Sequence, residues 1–449
     1  MRTRYIALRA AITGAAASIW VLGGYGVALA QPATQNVAQH WNQVAENAVI
    51  ASGAFQNEGL IYMAYASAAV YDAVTSIDRT YRPLFERIHA RAGASPDAAV
   101  AEAAYRTLRF YLPGQATLLD AAYFEALAQL PGGRATEDGL EVGARAAAIV
   151  IARRKGDGLT TPIGATSVFD SLLQNPGVWR LTPPFAAPQT PWVGSVRPFV
   201  LRGARRFRPA GPPPLDSANW VQQFDEIKRL GSSASTARTP EQTAVARFWT
   251  ANVIRQYNRA GRDLSSSRGL SLGETARLLA MINVIGADAQ IEVMRWKYTF
   301  LFWRPVTAID PNAVTTDGFG PVPGFDDGIP QTIEESGWRP LITTPNHPEY
   351  PAAHGSITSA MASVFAEILG TDSIALDIHG FDPAGATGNL DAVRHFATTD
   401  ALRAEIVNAR LWAGLHYRGS SEAGVALGRD VARVDLRRAF RKNADRPDH

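Results

Sequence analysis

The sequence predicts an all-α fold, one or two helical bundles with long irregular loops, and three observations carry that expectation. Apolar residues return at helical spacing over most of the chain, as in Ala64, Ala68, Tyr71 and Val74 and again in Val100, Ala104, Leu108 and Tyr111. No β-rich block and no internal repeat of fixed period interrupts the pattern. The 449 residues, 46% of them hydrophobic, suffice for one large core or two closely joined ones.

Taken in order, the chain opens with Arg2, Arg4 and Arg9, an apolar stretch from Ala10 to Val27, and the small-residue end Ala28-Leu29-Ala30. These are the basic, apolar and cleavage regions of a secretory signal peptide, so residues 1–30 are expected to be removed and the mature protein to be secreted or periplasmic. No later segment reads as a bilayer span. Residues 31–215 make an N-terminal helical region, in which 35–157 reads as four or five antiparallel helices punctuated at Leu112-Pro113-Gly114 and Leu130-Pro131-Gly132-Gly133. Residues 158–215 turn to Pro, Trp and Gly, as in Trp179-Arg180-Leu181-Thr182-Pro183-Pro184 and Pro212-Pro213-Pro214. So long an aperiodic segment is uncommon inside a domain, and its aromatics suit a strap laid across the helices better than a linker. Residues 216–449 make a C-terminal region with helical pattern over 240–259, 273–300, 355–369, 391–413 and 421–440.

Composition narrows the function. With no cysteine, disulfides, thiolate zinc sites, iron–sulfur clusters and cysteine nucleophiles are all excluded. A net charge of +3 with 19% charged residues is too mild for a nucleic-acid footprint, and a small anionic ligand fits better than a polyanion.

Three C-terminal segments place cationic and imidazole groups among apolar neighbours, where such groups are rare without a partner. The first runs Lys297-Tyr-Thr-Phe-Leu-Phe-Trp-Arg304-Pro305. Seven residues is close to two helical turns, so Lys297 and Arg304 are expected on one face, about 10 Å apart, with Pro305 closing the helix. The second runs His347-Pro-Glu-Tyr-Pro351-Ala352-Ala353-His354-Gly355-Ser356 and leads into apolar Ile357, Met361, Val364, Phe365 and Ile368, with Gly370 as a stop. His354 thus sits at a helix start, where free N–H groups and the dipole favour an anion and an imidazole can exchange protons with it. In the third, Arg410 lies in a last helical turn, Gly414 breaks the helix, and His416 sits on the turn into the final one.

In order and spacing these segments resemble the signature of the vanadium-dependent haloperoxidases and type 2 phosphatidic-acid-type phosphatases: Lys, six residues, Arg-Pro; then Pro-Ser-Gly-His; then Ser-Arg, five residues, His, three residues, Asp. The matching positions are Lys297, Arg304, Pro305, Pro351, His354, Arg410 and His416. The resemblance implies the helical bundle of that superfamily, with vanadate as cofactor and hydrogen peroxide and halide as reactants. His416 would be the metal ligand, or the nucleophile of an acid phosphatase acting on phosphate esters. Lys297, Arg304, Arg410 and the backbone N–H near Ala353 would hold the oxyanion, and His354 would be the acid–base group. It also leaves room for a homodimer.

Three departures from the pattern matter. Ala352 stands where the family has serine, removing a donor worth roughly 1.5–3 kcal/mol to a charged group. Ala353 stands for glycine, which matters only if φ is positive there. Ser420 replaces the aspartate that would orient His416, leaving Ser420 to bond the ring or cap the next helix, and Asp430 or Glu422 to compensate. His347 occupies the position that is Phe in chloroperoxidases and His in algal bromoperoxidases, which leans towards bromide. His379 and His395 match no motif and read as surface or structural residues. The alternatives to haloperoxidase are an acid phosphatase and, given Ala352 and Ser420, a non-catalytic oxyanion-binding protein.

Overall fold

In the computed structural model, residues 35–161, 175–202, 207–314, 327–380 and 392–443 are described. The expected signal segment 1–30 and parts of the strap, 162–174 and 203–206, lie outside them. The described residues belong to one compact unit, Gln35–His449. The all-α expectation holds.

Among the described residues the N-terminal region holds five α-helices: α1 (Val37–Ala51), α2 (Gln56–Asp78), α3 (Pro96–Tyr111), α4 (Ala116–Gln129) and α5 (Arg134–Arg154). The C-terminal region holds α6 (Ala218–Gly231), α7 (Pro240–Phe248), α8 (Val253–Ser267), α9 (Leu272–Phe300), the short α10 (Pro305–Ile309), α11 (Ala353–Leu369), α12 (Thr399–Trp412) and α13 (Arg418–Arg438). An antiparallel pair, β1 (Leu376–His379) and β2 (Val393–Phe396), is the one sheet among the described residues. Helix α6 and this hairpin were not expected, and the single helix expected over 240–259 is two. Asn252 divides them, its side chain accepting from the Ile254 N–H to cap α8. His379 pairs with Asp263 and His395 with Asp377, away from the cationic segments.

Helix α9 is the axis of the molecule. Its start is set by a capping box in which Ser271 accepts from Glu274 N–H and the Glu274 carboxylate accepts from Ser271 N–H. It is buried on nearly every side, packing on α2 in the N-terminal region and on α11 and α13 in the C-terminal one. Helix α2 is apolar and long enough to cross a membrane, contrary to expectation, but its residues are almost all buried within the protein.

The strap lies along α9. The Asp288 carboxylate accepts three successive backbone N–H groups, from Phe199 (2.6 Å), Val200 (2.8 Å) and Leu201 (3.1 Å). Gly194 packs on the α9 backbone at Arg295, where a side chain would not fit. Further along, Trp179 N–H donates to the Leu301 carbonyl at the end of α9 (2.7 Å).

Helices α11 and α13 meet through glycines. A β-carbon at Gly428 would lie 1.9 Å from the Ser356 carbonyl oxygen, and one at Gly424 2.2 Å from that of Ala352. This close approach draws the start of α11, with His354, onto the first turns of α13, just past His416.

Candidate active site

Each of the three segments lies at the end or the start of a helix. Lys297 is in the last turn of α9, and its Nζ donates to the carbonyls of Pro348 (2.8 Å) and Glu349 (2.9 Å). The helix stops at Phe300 because Leu301 is left-handed (φ 50°). Arg304 therefore lies beyond α9 in extended backbone, not on its face. Pro305 does not close α9 but opens α10 at the first helical position, where a missing N–H costs nothing. The Arg304 guanidinium nevertheless returns to the same place, donating to the carbonyls of His347 (3.0 Å) and Leu415 (2.8 Å).

Helix α11 begins at Ala353, whose φ is not positive, so this departure is harmless; His354 is its second residue. Helix α12 ends at Trp412. Gly414 (φ 76°) then turns the chain at a point where a β-carbon would lie 2.5 Å from the Gly231 carbonyl oxygen. His416 follows on the turn into α13. Arg410 donates through Nη1 to the Trp249 carbonyl (3.1 Å).

These contacts determine the imidazole tautomers. Arg304 can only donate, so the 3.2 Å contact between its Nη1 and His416 Nε2 requires a lone pair on Nε2. The ring proton is then on Nδ1 and is donated to Glu349 Oε1 (2.9 Å), which also accepts from Tyr417 N–H (3.0 Å). Likewise His347 Nδ1 accepts from Arg304 Nη2 (3.0 Å), so its 3.2 Å contact with the Pro348 carbonyl sets two acceptors side by side. Ser420 neither bonds the His416 ring nor caps α13: its Oγ donates to the Glu349 carbonyl (3.3 Å). Asp430 is engaged with Arg433 (2.6 Å) and Glu422 is exposed, so neither compensates. Glu349 was missed by the sequence reading. The available signal was a lone carboxylate among the prolines and aromatics just before His354.

Lys297, Arg304, Arg410, Glu349 and His416 are almost wholly inaccessible, and His354 is 9% exposed. Burial lowers Arg304 to about 10 and Arg410 to about 9, with repulsion from Arg304 adding to the latter; Lys297 is pushed well below the usual lysine range by burial and then by Arg304. Glu349 is raised to about 7, by burial against the pull of Lys297 and Arg304. His354 is held neutral by burial first and then by the charges of Arg410, Lys297 and Arg304. His354 Nε2 and Arg410 Nε have no hydrogen-bond partner among the described residues. No group of three or more His or carboxylate side chains there is arranged to hold a bare metal ion. What converges is donors facing a single carboxylate. That set fits an oxyanion, including one whose metal brings its own oxygens.

The all-helical fold is shared with vanadium-dependent haloperoxidases of known structure. Residues 277–444 match the family described as the VCPO second helical-bundle domain. The chain is 25% identical over 297 residues to the vanadium chloroperoxidase of Curvularia inaequalis, an alignment covering 53% of this chain and 48% of that protein, so it spans about half the length of that curated relative. Among solved structures it is similar to the first bacterial vanadium-dependent iodoperoxidase, with a TM-score of 0.71 at 20% identity, over 91% of this chain and 98% of that one. It is also similar to a holo-type bacterial vanadium-dependent chloroperoxidase, with a TM-score of 0.66 at 18% identity, over 85% and 91% of the two chains. The expected similarity to the vanadium haloperoxidases and the expected all-helical fold are borne out.

Proposed function

We propose that this chain is a vanadate-dependent haloperoxidase, using hydrogen peroxide to oxidise halide to hypohalous acid. The observation that carries this reading is the His416 ring, held with its Nε2 lone pair towards the guanidinium of Arg304 while Nδ1–H is fixed on Glu349. Lys297, Arg304, Arg410 and the free N–H groups at the start of α11 would hold the anion's oxygens, and His416 Nε2 would be its ligand. When bound, vanadate supplies a Lewis acid that activates peroxide without redox cycling of the metal. His354, neutral and unpartnered at Nε2, is a base available to take the peroxide proton and later return it. Burial of the donor set keeps bulk water from competing with these bonds.

For the halide we assign bromide, because His347 puts an imidazole bonded to Arg304 where chloroperoxidases of the family carry phenylalanine. We also assign residues 1–30 as a secretory signal, supported by their basic, apolar and small-residue sections. A phosphatase would use the same donors with His416 Nε2 as nucleophile, since a phosphate has the shape and charge of vanadate. The test is bromination of a phenol dye with peroxide, with and without orthovanadate, beside hydrolysis of a phosphate ester. Vanadate-dependent bromination lost in His416→Ala supports the peroxidase. Ester hydrolysis inhibited by vanadate, without bromination, selects the phosphatase. Absence of both leaves an oxyanion-binding protein whose Ala352 has cost it its chemistry.

A further inference from the structure

We infer that Glu349 is the positioning residue for His416, doing from the loop before α11 what the aspartate four residues after the histidine does in the family pattern. The inference rests on the oxyanion site proposed above and concerns which residue aims its nitrogen.

Glu349 is tied into the site by five hydrogen bonds. Its N–H donates to the Phe302 carbonyl (2.9 Å), and its carbonyl accepts from Lys297 Nζ (2.9 Å) and Ser420 Oγ (3.3 Å). Its Oε1 accepts from both His416 Nδ1 (2.9 Å) and Tyr417 N–H (3.0 Å). The carboxylate therefore fixes the ring and the backbone immediately after it. Ser420, at the family aspartate position, cannot replace it because its hydroxyl is spent on the Glu349 backbone. A carboxylate on Nδ1–H does two things: it forbids the tautomer with the proton on Nε2, and it raises the electron density of Nε2 as a ligand. Both effects concern a bond made by Nε2. Neither concerns anions held only by the cations.

That distinction gives the test. Affinities for orthovanadate, which bonds to a histidine nitrogen, and inorganic phosphate, which at equilibrium reads the cationic cradle, are measured by titration calorimetry on the full-length protein and on Glu349→Gln and Glu349→Ala. Gln keeps an acceptor of the same shape for His416 and Tyr417, and phosphate binding serves as the folding control. Both anions gain alike when a negative charge is removed, so the readout is their affinity ratio. The expected result is a fall in the vanadate-to-phosphate ratio of about 10–100-fold in Glu349→Ala and a smaller fall in Glu349→Gln, with phosphate binding kept or tightened. An unchanged ratio, or parallel loss of both anions, overturns the positioning role while leaving the oxyanion site standing. Failure of the unmodified protein to bind vanadate overturns the proposed function itself, and this inference with it.

Discussion

Ala352 shows most directly what one side chain contributes here. It is fully buried and is the N-cap of α11, yet makes no side-chain cap bond. A serine at this position could accept from an N–H of the first turn and donate its O–H to an oxyanion oxygen at once. The first effect is worth about 1 kcal/mol of stability and the second roughly 1.5–3 kcal/mol of affinity. Ala352→Ser is therefore expected to raise both the urea midpoint and the affinity for vanadate, the latter by tenfold or more; unchanged affinity would place the oxyanion away from the α11 N-terminus. The cations and histidines were legible in the sequence because spacing and residue type together are restrictive. Glu349 was not, because its partner is 67 positions away and only the folded turn at Gly414 brings Oε1 to His416. Arg304 was legible as a participant but not in its placement: nothing local showed that Leu301 would turn left-handed and free it from α9.

Between elements, the contact that matters most to the site is α11 against α13. Its glycines decide the sign of a substitution that would ordinarily help, since Gly→Ala in a helix interior gains about 0.5–1 kcal/mol. At Gly428 the added methyl would sit 1.9 Å from a backbone oxygen of α11, which cannot rotate away. The clash wins: Gly428→Ala should destabilise by about 1–3 kcal/mol in chemical unfolding and weaken oxyanion binding by displacing His354. A gain in stability would mean that the helices are farther apart than described. Helices with clear caps were read close to their ends, as at Ser271 and Gly370. Helix α6 lay in sequence assigned to the strap's aftermath, and the four-residue strands β1 and β2 are too short for periodicity to register.

Across the whole molecule, α9 carries Asp288 to the strap and Lys297 to the site. Asp435 of α13 is fully buried, and neither of its carboxyl oxygens has a hydrogen-bond partner among the described residues. Burial first, and then Asp288, raise Asp435 well above the usual carboxylate range, with Glu292 adding to the rise and Arg438 opposing it. The folded protein thus keeps a proton that the unfolded chain releases near pH 4. The resulting stability is complete below that pH and is lost as pH rises towards the folded value, at up to about 1.4 kcal/mol per unit. In Asp435→Asn the side chain is neutral at every pH, so unfolding free energies measured across pH should show the wild-type protein losing ground to the variant above pH 4. A pH-independent difference would contradict a proton held on buried Asp435. The central claim, that residues 297–416 build an oxyanion cradle closed by His416 Nε2, is tested most directly by titrating the purified protein with orthovanadate beside His416→Ala. The account predicts one equivalent bound by the wild type and a loss of at least tenfold in affinity in the variant, with inorganic phosphate competing in both; equal binding by the two proteins would contradict it.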